Sequence, residues 1–298
     1  MVNRSCGTFS TPNPTNSAAL ALLENLLAAA EASSYDSAHR TSVLKARGFG
    51  DSMGSTTSAL SAKANRVAVD RRLYAGVASG LALIVLVGFA QTYYLKVLFG
   101  TPPLRLLLHV HGVVMTAWVV LFFVQVRLIA AHRTDLHRRL GVFGAVVAGM
   151  VLVVGVPVAL IQGHLHLIMN DTPMEPALVF LPIPLGILLL FGTFVTAAIL
   201  LRRRAAYHKR FMALSCLSIV LPGLDRLPLQ FIENADRWLL FGLNDVGIAI
   251  CVAYDALKYR RVHPAWVWGG AMFLGVQILT LTLRNTQTWL RIAGWMLK

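Results

Sequence analysis

Several polar side chains lie inside segments that are otherwise apolar, and these residues have the side chains most able to do chemistry. His111, Asn244 and Asp245 lie about 10 Å from the end of their apolar runs, counted along a helix at about 1.5 Å per residue. Ionisable groups inside membrane-spanning segments are costly, so each is a candidate for function. The spacing predicts an outward-facing buried site in which His111 and Asp245 bind a proton, a cation or a small polar ligand.

Further polar side chains are predicted at or near the same level. Gln91 and Gln277 have similar depths in two other runs, and Asp225 with Arg226 would form an ion pair above them. The alternative is that these groups only join helices through hydrogen bonds, each contributing about 0.6–2 kcal/mol. This packing role is favoured for Gln91 and Gln277. A carboxylate is an expensive group for packing, so Asp245 favours a binding function.

A second set of candidate residues comes from two similar loops, "DLHRRLGVFG" and "AYHKRFMALS", which each place a histidine and two cations before an apolar run. A b-type haem takes two axial histidines from different helices, and its propionates favour nearby arginines. His137 and His208 are therefore candidate haem ligands, and the candidate propionate contacts are Arg138, Arg139 and Arg210. The alternative needs no cofactor, because cations at the cytoplasmic ends of helices set topology and contact anionic lipids.

The composition indicates where these side chains lie. Of 298 residues, 56% are hydrophobic and only 13% are charged, whereas about a quarter are charged in ordinary soluble domains. The net charge of +14 comes from short clusters of cations between apolar runs, which excludes a nucleic-acid-binding surface and is typical of loops in a multi-pass membrane protein.

The elements that must position these groups are long apolar helices. A helical span needs about 20 apolar residues. The sequence predicts an all-α, polytopic membrane bundle of seven transmembrane helices, over residues 73–98, 104–130, 142–163, 176–201, 208–224, 238–257 and 264–283. The fifth segment is the shortest and ends at Pro222-Gly223, a pair that breaks helices.

The distribution of Lys and Arg predicts the orientation. Sixteen cations flank one set of span ends and seven flank the other. Positive charge is retained on the cytoplasmic side, so we expect the N-terminus inside and the C-terminus outside, in a bacterial inner membrane.

The chain is expected to divide into three parts. Residues 1–72 are rich in Ser, Thr, Ala and Asn and are predicted to be a mostly disordered extension, with Met53 as an alternative start. Residues 73–283 would form the transmembrane domain. Residues 284–298 would form an interfacial tail.

Part of the sequence resembles a known family. The stretches "HVHGVVMTAWVVLFFVQVRLIAAHRTDLHRRLG", "AYHKRFMALSCLSIVLPGLDR" and "YDALKYRRVHPAWVWGG" resemble a family of bacterial multi-pass membrane proteins without an established activity. The resemblance covers about residues 73–298 and implies a membrane location only. The "LHRRLG" element is also similar to loops of di-haem cytochromes of the b561 type, which use two pairs of histidines where this chain offers one.

Three classes of function remain open from the sequence. The first is a carrier or receptor built around the polar site of Asp245 and His111. The second is a redox protein that binds haem b, and the third is a scaffold or accessory subunit. The chain has no HExxH, HxxxH or CxxC motif, which disfavours a metal-dependent hydrolase or a thiol–disulfide enzyme. No catalytic residue is assigned.

Overall fold

The computed structural model describes residues 50–101, 103–169, 175–233 and 236–297. The chain divides into two compact units, Met1–Ala68 and Val69–Lys298. The described residues of the first unit are helical and belong to α1, Gly50–Gly88. Residues 1–49 of the expected extension lie outside the described residues, and the boundary expected at residue 72 falls within α1.

The described part of the second unit is helical and contains no strand. A π-helical turn, Ala90–Tyr94, follows α1. The remaining helices are α2 (Leu106–Ala130), α3 (Thr134–Met169), α4 (Glu175–Phe180), α5 (Pro182–Leu200), α6 (Ala205–Ser218), α7 (Leu221–Leu224), α8 (Gln230–Glu233), α9 (Arg237–Tyr259), α10 (Pro264–Leu283) and α11 (Gln287–Met296).

Among the described residues, six helices are long and apolar enough to cross a membrane. The segments are Asp70–Gly88, Leu106–Ala130, Thr134–Ile161, Leu178–Leu200, Arg237–Tyr259 and Pro264–Leu283. Large apolar side chains on them, such as Leu83, Val153, Leu257 and Trp268, are well exposed, as side chains that face lipid would be. The all-α prediction is confirmed, and the fold is compatible with a multi-pass integral membrane protein.

The predicted fifth span, residues 208–224, is divided into two helices. α6 ends at Ser218, and α7 begins at Leu221 after Ile219 and Val220. Pro222 explains the division, because a proline ring inside a helix clashes with the carbonyl four residues earlier, here that of Ser218. The 14 residues of α6 are fewer than a straight helix needs to cross a bilayer core.

Helix α5 packs at the centre of the bundle. Its Phe191 and Phe194 are fully buried. Trp118 of α2 meets the Phe191 ring edge-on at a centroid distance of 5.0 Å, and Phe194 stacks with Phe273 of α10 at 6.3 Å. These aromatic contacts fix α2 and α10 on either side of α5, and α6 packs against the same cluster through Leu214 and Leu217.

Candidate functional site

Contacts between helix ends define one face of the bundle, which we call the basic end. Asp70 of α1 forms an ion pair with Lys209 of α6, and Arg210 of α6 forms one with Asp255 of α9. Arg71 is hydrogen-bonded to His132, in the turn between α2 and α3. The basic end therefore contains the start of the apolar part of α1, the ends of α2, α5 and α9, and the starts of α3, α6 and α10.

A small cavity lies in the other half of the bundle, between α5, the break of α6 and α7, α9 and α10. It leaves about 10 Å³ for the centre of a water molecule, which is room for about one water-sized occupant. Its walls are mostly apolar. Four polar side chains also line it, and all are nearly inaccessible to solvent: Ser218 (1%), Asn244 (4%), Gln277 (5%) and Thr280 (7%).

The two hydroxyl groups at this cavity donate hydrogen bonds to carbonyl groups of their own helices. Ser218 Oγ donates to the carbonyl of Ser215 at 2.7 Å, and Thr280 Oγ1 donates to that of Val276 at 2.5 Å. Each oxygen is left as an acceptor. Asn244 Oδ1 is buried and has no hydrogen-bond partner among the described residues, so three of the four polar residues that line the cavity have an oxygen that can still accept a hydrogen bond.

Asp245 lies next to this cavity and is joined to it through Gln277. The Nε2 group of Gln277 donates to Asp245 Oδ1 at 3.0 Å, and the carboxyl is half-buried. In the described part of the chain, the ion pairs are Asp70 with Lys209 and Lys258, Arg210–Asp255 and Arg237–Asp225. None of them includes Asp245, so this carboxylate is within a candidate span without a cationic side chain beside it.

The other residues of the predicted outer site are not brought to this cluster. His111 is half-buried, and no hydrogen bond between it and Asn244, Asp245 or Gln277 occurs in the described residues. Gln91 is exposed in the π-helical turn.

The expected pair of Asp225 and Arg226 is also different in the structure. Asp225 accepts from Arg237 NH1 at 2.8 Å. The Arg226 guanidinium donates to the carbonyl of Pro222 and lies 5.0 Å from the centre of the Phe89 ring. Arg237 is the first residue of α9, so it reaches Asp225 across the short connection after α7.

The two histidines of the basic loops face each other at the basic end. The ring centroids of His137 and His208 are 6.2 Å apart and their planes are nearly perpendicular. His208 Nδ1 lies 2.8 Å from the carbonyl oxygen of Ala198, which can only accept, so Nδ1 donates this hydrogen bond. His137 Nδ1 is buried, and no partner for it lies among the described residues.

The cations around these histidines differ in what they contact. Arg138 and Arg139 are exposed. Arg210, which the sequence suggested as a propionate contact, is buried and donates from Nε and NH2 to the two oxygens of Asp255, at 2.9 and 2.8 Å. The guanidinium of Arg210 is thus already neutralised by a protein carboxylate, and of the three candidate propionate contacts only Arg138 and Arg139 remain exposed.

Asp70 is the centre of a network that the sequence did not reveal. Its carboxylate accepts four hydrogen bonds at 2.7 Å, from Lys209 of α6 and from Tyr254, Lys258 and Tyr259 of α9. These contacts join three helices at the basic end. In the sequence Asp70 is the one acid within a cationic cluster, "RVAVDRR", which is the available signal for a paired carboxylate.

His263 caps the start of α10. Its Nδ1 accepts the N–H of Ala265 at 3.1 Å, and its ring meets that of Tyr207 edge-on at 4.6 Å. Burial and the nearby positive charge of Arg210 lower the pKa of His263 below its ordinary value of 6.5. The neutral form, which can accept the capping bond, is therefore favoured.

No protein-family model, curated protein sequence or solved structure matches the chain. The class of the protein therefore follows from the fold itself. It is a helical bundle with several apolar spans, compatible with an integral membrane protein of the multi-pass class.

Proposed function

We propose that the protein is a membrane carrier or receptor for a proton, a cation or a small polar ligand, and that Asn244, Asp245 and Gln277 form its binding site. The observation that carries the proposal is a buried acceptor at the cavity: Asn244 Oδ1 has no hydrogen-bond partner among the described residues. Gln277, which also lines the cavity, donates a hydrogen bond to Asp245, and this carboxylate forms no ion pair among the described residues. Packing alone gives no reason to collect these costly groups at one place. A role as a catalyst is not proposed.

The division of α6 and α7 supports a transport function. In many carriers the binding site lies where a membrane helix is interrupted near the middle of the bilayer. Ser218, the last residue of α6, and Leu221, the first of α7, both line the cavity. The interruption is thus at the site itself.

We also propose that the divided segment crosses the bilayer as a seventh span. Two ion pairs join it to α9, Arg210–Asp255 at the basic end and Asp225–Arg237 at the other. Asp255 and Arg237 are 18 positions apart, which is about 27 Å along a helix and close to the thickness of a bilayer core of about 30 Å. A segment that contacts both ends of α9 covers the same distance.

With seven crossings, the excess of Lys and Arg at the basic end supports a cytoplasmic N-terminus and an external C-terminus in a bacterial inner membrane. The exposed cations there, such as Arg138, Arg139 and Arg203, would contact anionic lipid headgroups. The resemblance to bacterial multi-pass membrane proteins agrees with a membrane location.

A labelling experiment tests the topology. Arg203→Cys and Gln287→Cys would be expressed separately and treated with a membrane-impermeant maleimide in intact cells. Gln287→Cys is expected to react and Arg203→Cys only after lysis. Both variants would be made in a Cys6→Ser background, and that parent protein, in which Cys216 and Cys251 are buried, gives the background. Equal reaction of both variants in intact cells would contradict seven crossings.

A transport assay tests the carrier. Purified protein in liposomes would be given concentration jumps of H⁺, Na⁺ and a panel of small polar solutes, with charge movement and solute uptake recorded. We expect flux in wild type and its loss in Asn244→Leu. Thr282→Val, an exposed site on α10, is the control. If wild-type liposomes are no more permeable than empty ones to any probe, the carrier function is refuted.

A second candidate function is favoured by the paired histidines. If His137 and His208 held one metal ion between them, their two rings would have to lie close together on facing helices. The centroids of His137 and His208 are 6.2 Å apart. The carbonyl bonded to His208 Nδ1 orients that ring as carbonyls orient metal ligands. The described residues contain no group of three or more metal-ligating side chains, so these two would suit a haem, which supplies its own four nitrogens.

One glycine near His137 leaves its surroundings open. Gly141, one turn after His137, lacks a side chain, and a Cβ there would meet only Gln125 Nε2, at 4.0 Å. A bound haem b would supply one-electron redox chemistry, with Arg138 and Arg139 available to its propionates.

An absorption spectrum decides this second candidate. Protein expressed with ample haem is expected to show a Soret band that His137→Ala and His208→Ala each abolish. His109→Ala, an exposed histidine near the opposite end of α2, should keep the band. A colourless wild-type protein would end the haem hypothesis.

A further inference from the structure

Several side-chain oxygens at the cavity beside Asn244 can still accept a hydrogen bond. Ser218 Oγ and Thr280 Oγ1 have donated their hydrogens to carbonyls of their own helices. Asn244 Oδ1 has no donor within the described ranges. Three residues that line the cavity, on three different helices, therefore each have an oxygen with a free lone pair, and the cavity has room for about one water-sized occupant.

The ionised carboxylate of Asp245 would supply a charge of the sign that a cation requires. An uncompensated carboxylate within a bilayer is strongly unfavourable. Asp245 has the Gln277 amide as its hydrogen-bond partner, and no cationic side chain forms an ion pair with it in the part of the chain that the structure describes. The nearest charged pair along α9 is Asp225 with Arg237, at the helix end and already mutually neutralised.

The interruption of α6 adds a second source of negative potential. A helix has a partial negative charge at its C-terminus, equivalent to about half an elementary charge. α6 ends at Ser218, whose side chain lines the cavity. Cations are bound in this way in carriers, by the C-terminal ends of interrupted helices together with side-chain oxygens.

We propose that Asn244, Ser218 and Thr280, with the carboxylate of Asp245 as counter-charge, bind a small monovalent cation of the size of Na⁺. This inference rests on the proposed binding function of the same site and names its occupant. Hard cations take oxygen ligands, and the cavity supplies oxygens from α6, α9 and α10. A larger organic cation exceeds the space available.

Equilibrium binding to the full-length protein in detergent tests this inference. The thermal unfolding midpoint would be measured in NaCl and in choline chloride at equal ionic strength, together with binding of radioactive Na⁺. We expect Na⁺ to raise the midpoint of wild type by about 2–4 °C for each tenfold excess over the dissociation constant. Asp245→Asn should remove this rise.

A matched pair of threonine variants on α10 separates the site from general packing. Thr280→Val removes a cavity oxygen, whereas Thr282→Val removes an exposed hydroxyl that also donates to its own helix. The Na⁺ effect should weaken at least tenfold in affinity for Thr280→Val and stay at the wild-type level for Thr282→Val. Both changes keep the shape of the side chain, so neither variant is expected to unfold.

The possible results distinguish this inference from the proposed function. Equal midpoints in NaCl and choline chloride, with no bound Na⁺, would overturn the cation site even if liposomes transport another solute. A midpoint that follows pH and not Na⁺, in wild type but not in Asp245→Asn, would also overturn it, since a proton would then neutralise the carboxylate. Bound Na⁺ without flux in liposomes would keep the cation site and refute the carrier.

Discussion

Arg210 and Asp255 form a two-point ion pair whose side chains are only 5% and 3% exposed. The pair joins the first turns of α6 to the last turns of α9. Removing one partner of a buried pair leaves the other charge without compensation, which costs about 3–5 kcal/mol. The pair is therefore expected to be the most sensitive electrostatic contact at the basic end.

Asp255→Asn is predicted to lower the thermal midpoint of the purified protein strongly, because Arg210 stays buried without a counter-charge. The double variant Arg210→Met/Asp255→Leu should recover much of the loss, since apolar residues of similar volume often replace buried pairs well. Asp225→Asn is the control, because its pair with Arg237 is about a third exposed and should contribute less than about 1 kcal/mol. Equal losses for Asp255→Asn and Asp225→Asn would contradict the prediction.

Asp70→Asn is predicted to destabilise the protein by about 1.5–3 kcal/mol, the range for hydrogen bonds to charged groups. The variant keeps the size of the side chain but leaves the ammonium groups of Lys209 and Lys258 facing a neutral amide. Adding Lys209→Gln should restore part of the loss. Asp135→Asn, an exposed acid in the first turn of α3, should cost less than about 1 kcal/mol. An Asp70→Asn midpoint equal to that of Asp135→Asn would show that the network does not stabilise the bundle.

The sequence predicted the helical class, the apolar segments and several polar groups from periodicity and composition, because these depend on single residues and their spacing. The division of the fifth segment was indicated by Pro222-Gly223. The hydrogen-bond and ion-pair partners of these polar groups were not predictable from the sequence, since Asp70, for example, lies 139 positions from Lys209. Likewise Ser218 and Thr280 look like ordinary hydroxyl residues in an apolar helix. Their importance follows only from the meeting of α6, α9 and α10 at one cavity.

Gly88→Ala is predicted to destabilise the protein because α1 and the α7 region approach each other there without side chains. A Cβ at position 88 would lie 2.0 Å from the carbonyl oxygen of Gly223, so the backbone would have to move. Such overpacking costs about 1–3 kcal/mol. Gly80→Ala is the matched control on the same helix, with no atom within 4 Å of the new Cβ, and should keep or slightly raise the midpoint. A similar loss in both variants would refute the close contact.

His263→Asn is predicted to remove part of the acid sensitivity of the protein. In wild type the neutral imidazole accepts the N–H of Ala265, and burial together with the charge of Arg210 lowers the pKa of His263 below 6.5. A group whose pKa is lower in the folded state binds more protons when unfolded, so its contribution to stability is complete above about pH 6.5. That contribution is lost as the pH falls through the lowered pKa. Asparagine caps helices through an oxygen that does not titrate in this range.

Unfolding midpoints of wild type and His263→Asn should therefore agree near pH 8 and separate toward pH 5, where wild type falls further. His263→Ala, which has no capping acceptor, should be less stable than His263→Asn at every pH by about 1 kcal/mol. Other histidines titrate in the same range, so the difference between wild type and His263→Asn is the quantity that reports on this residue. If that difference is the same at pH 8 and pH 5, the neutral imidazole of His263 is not the group that makes α10 sensitive to acid.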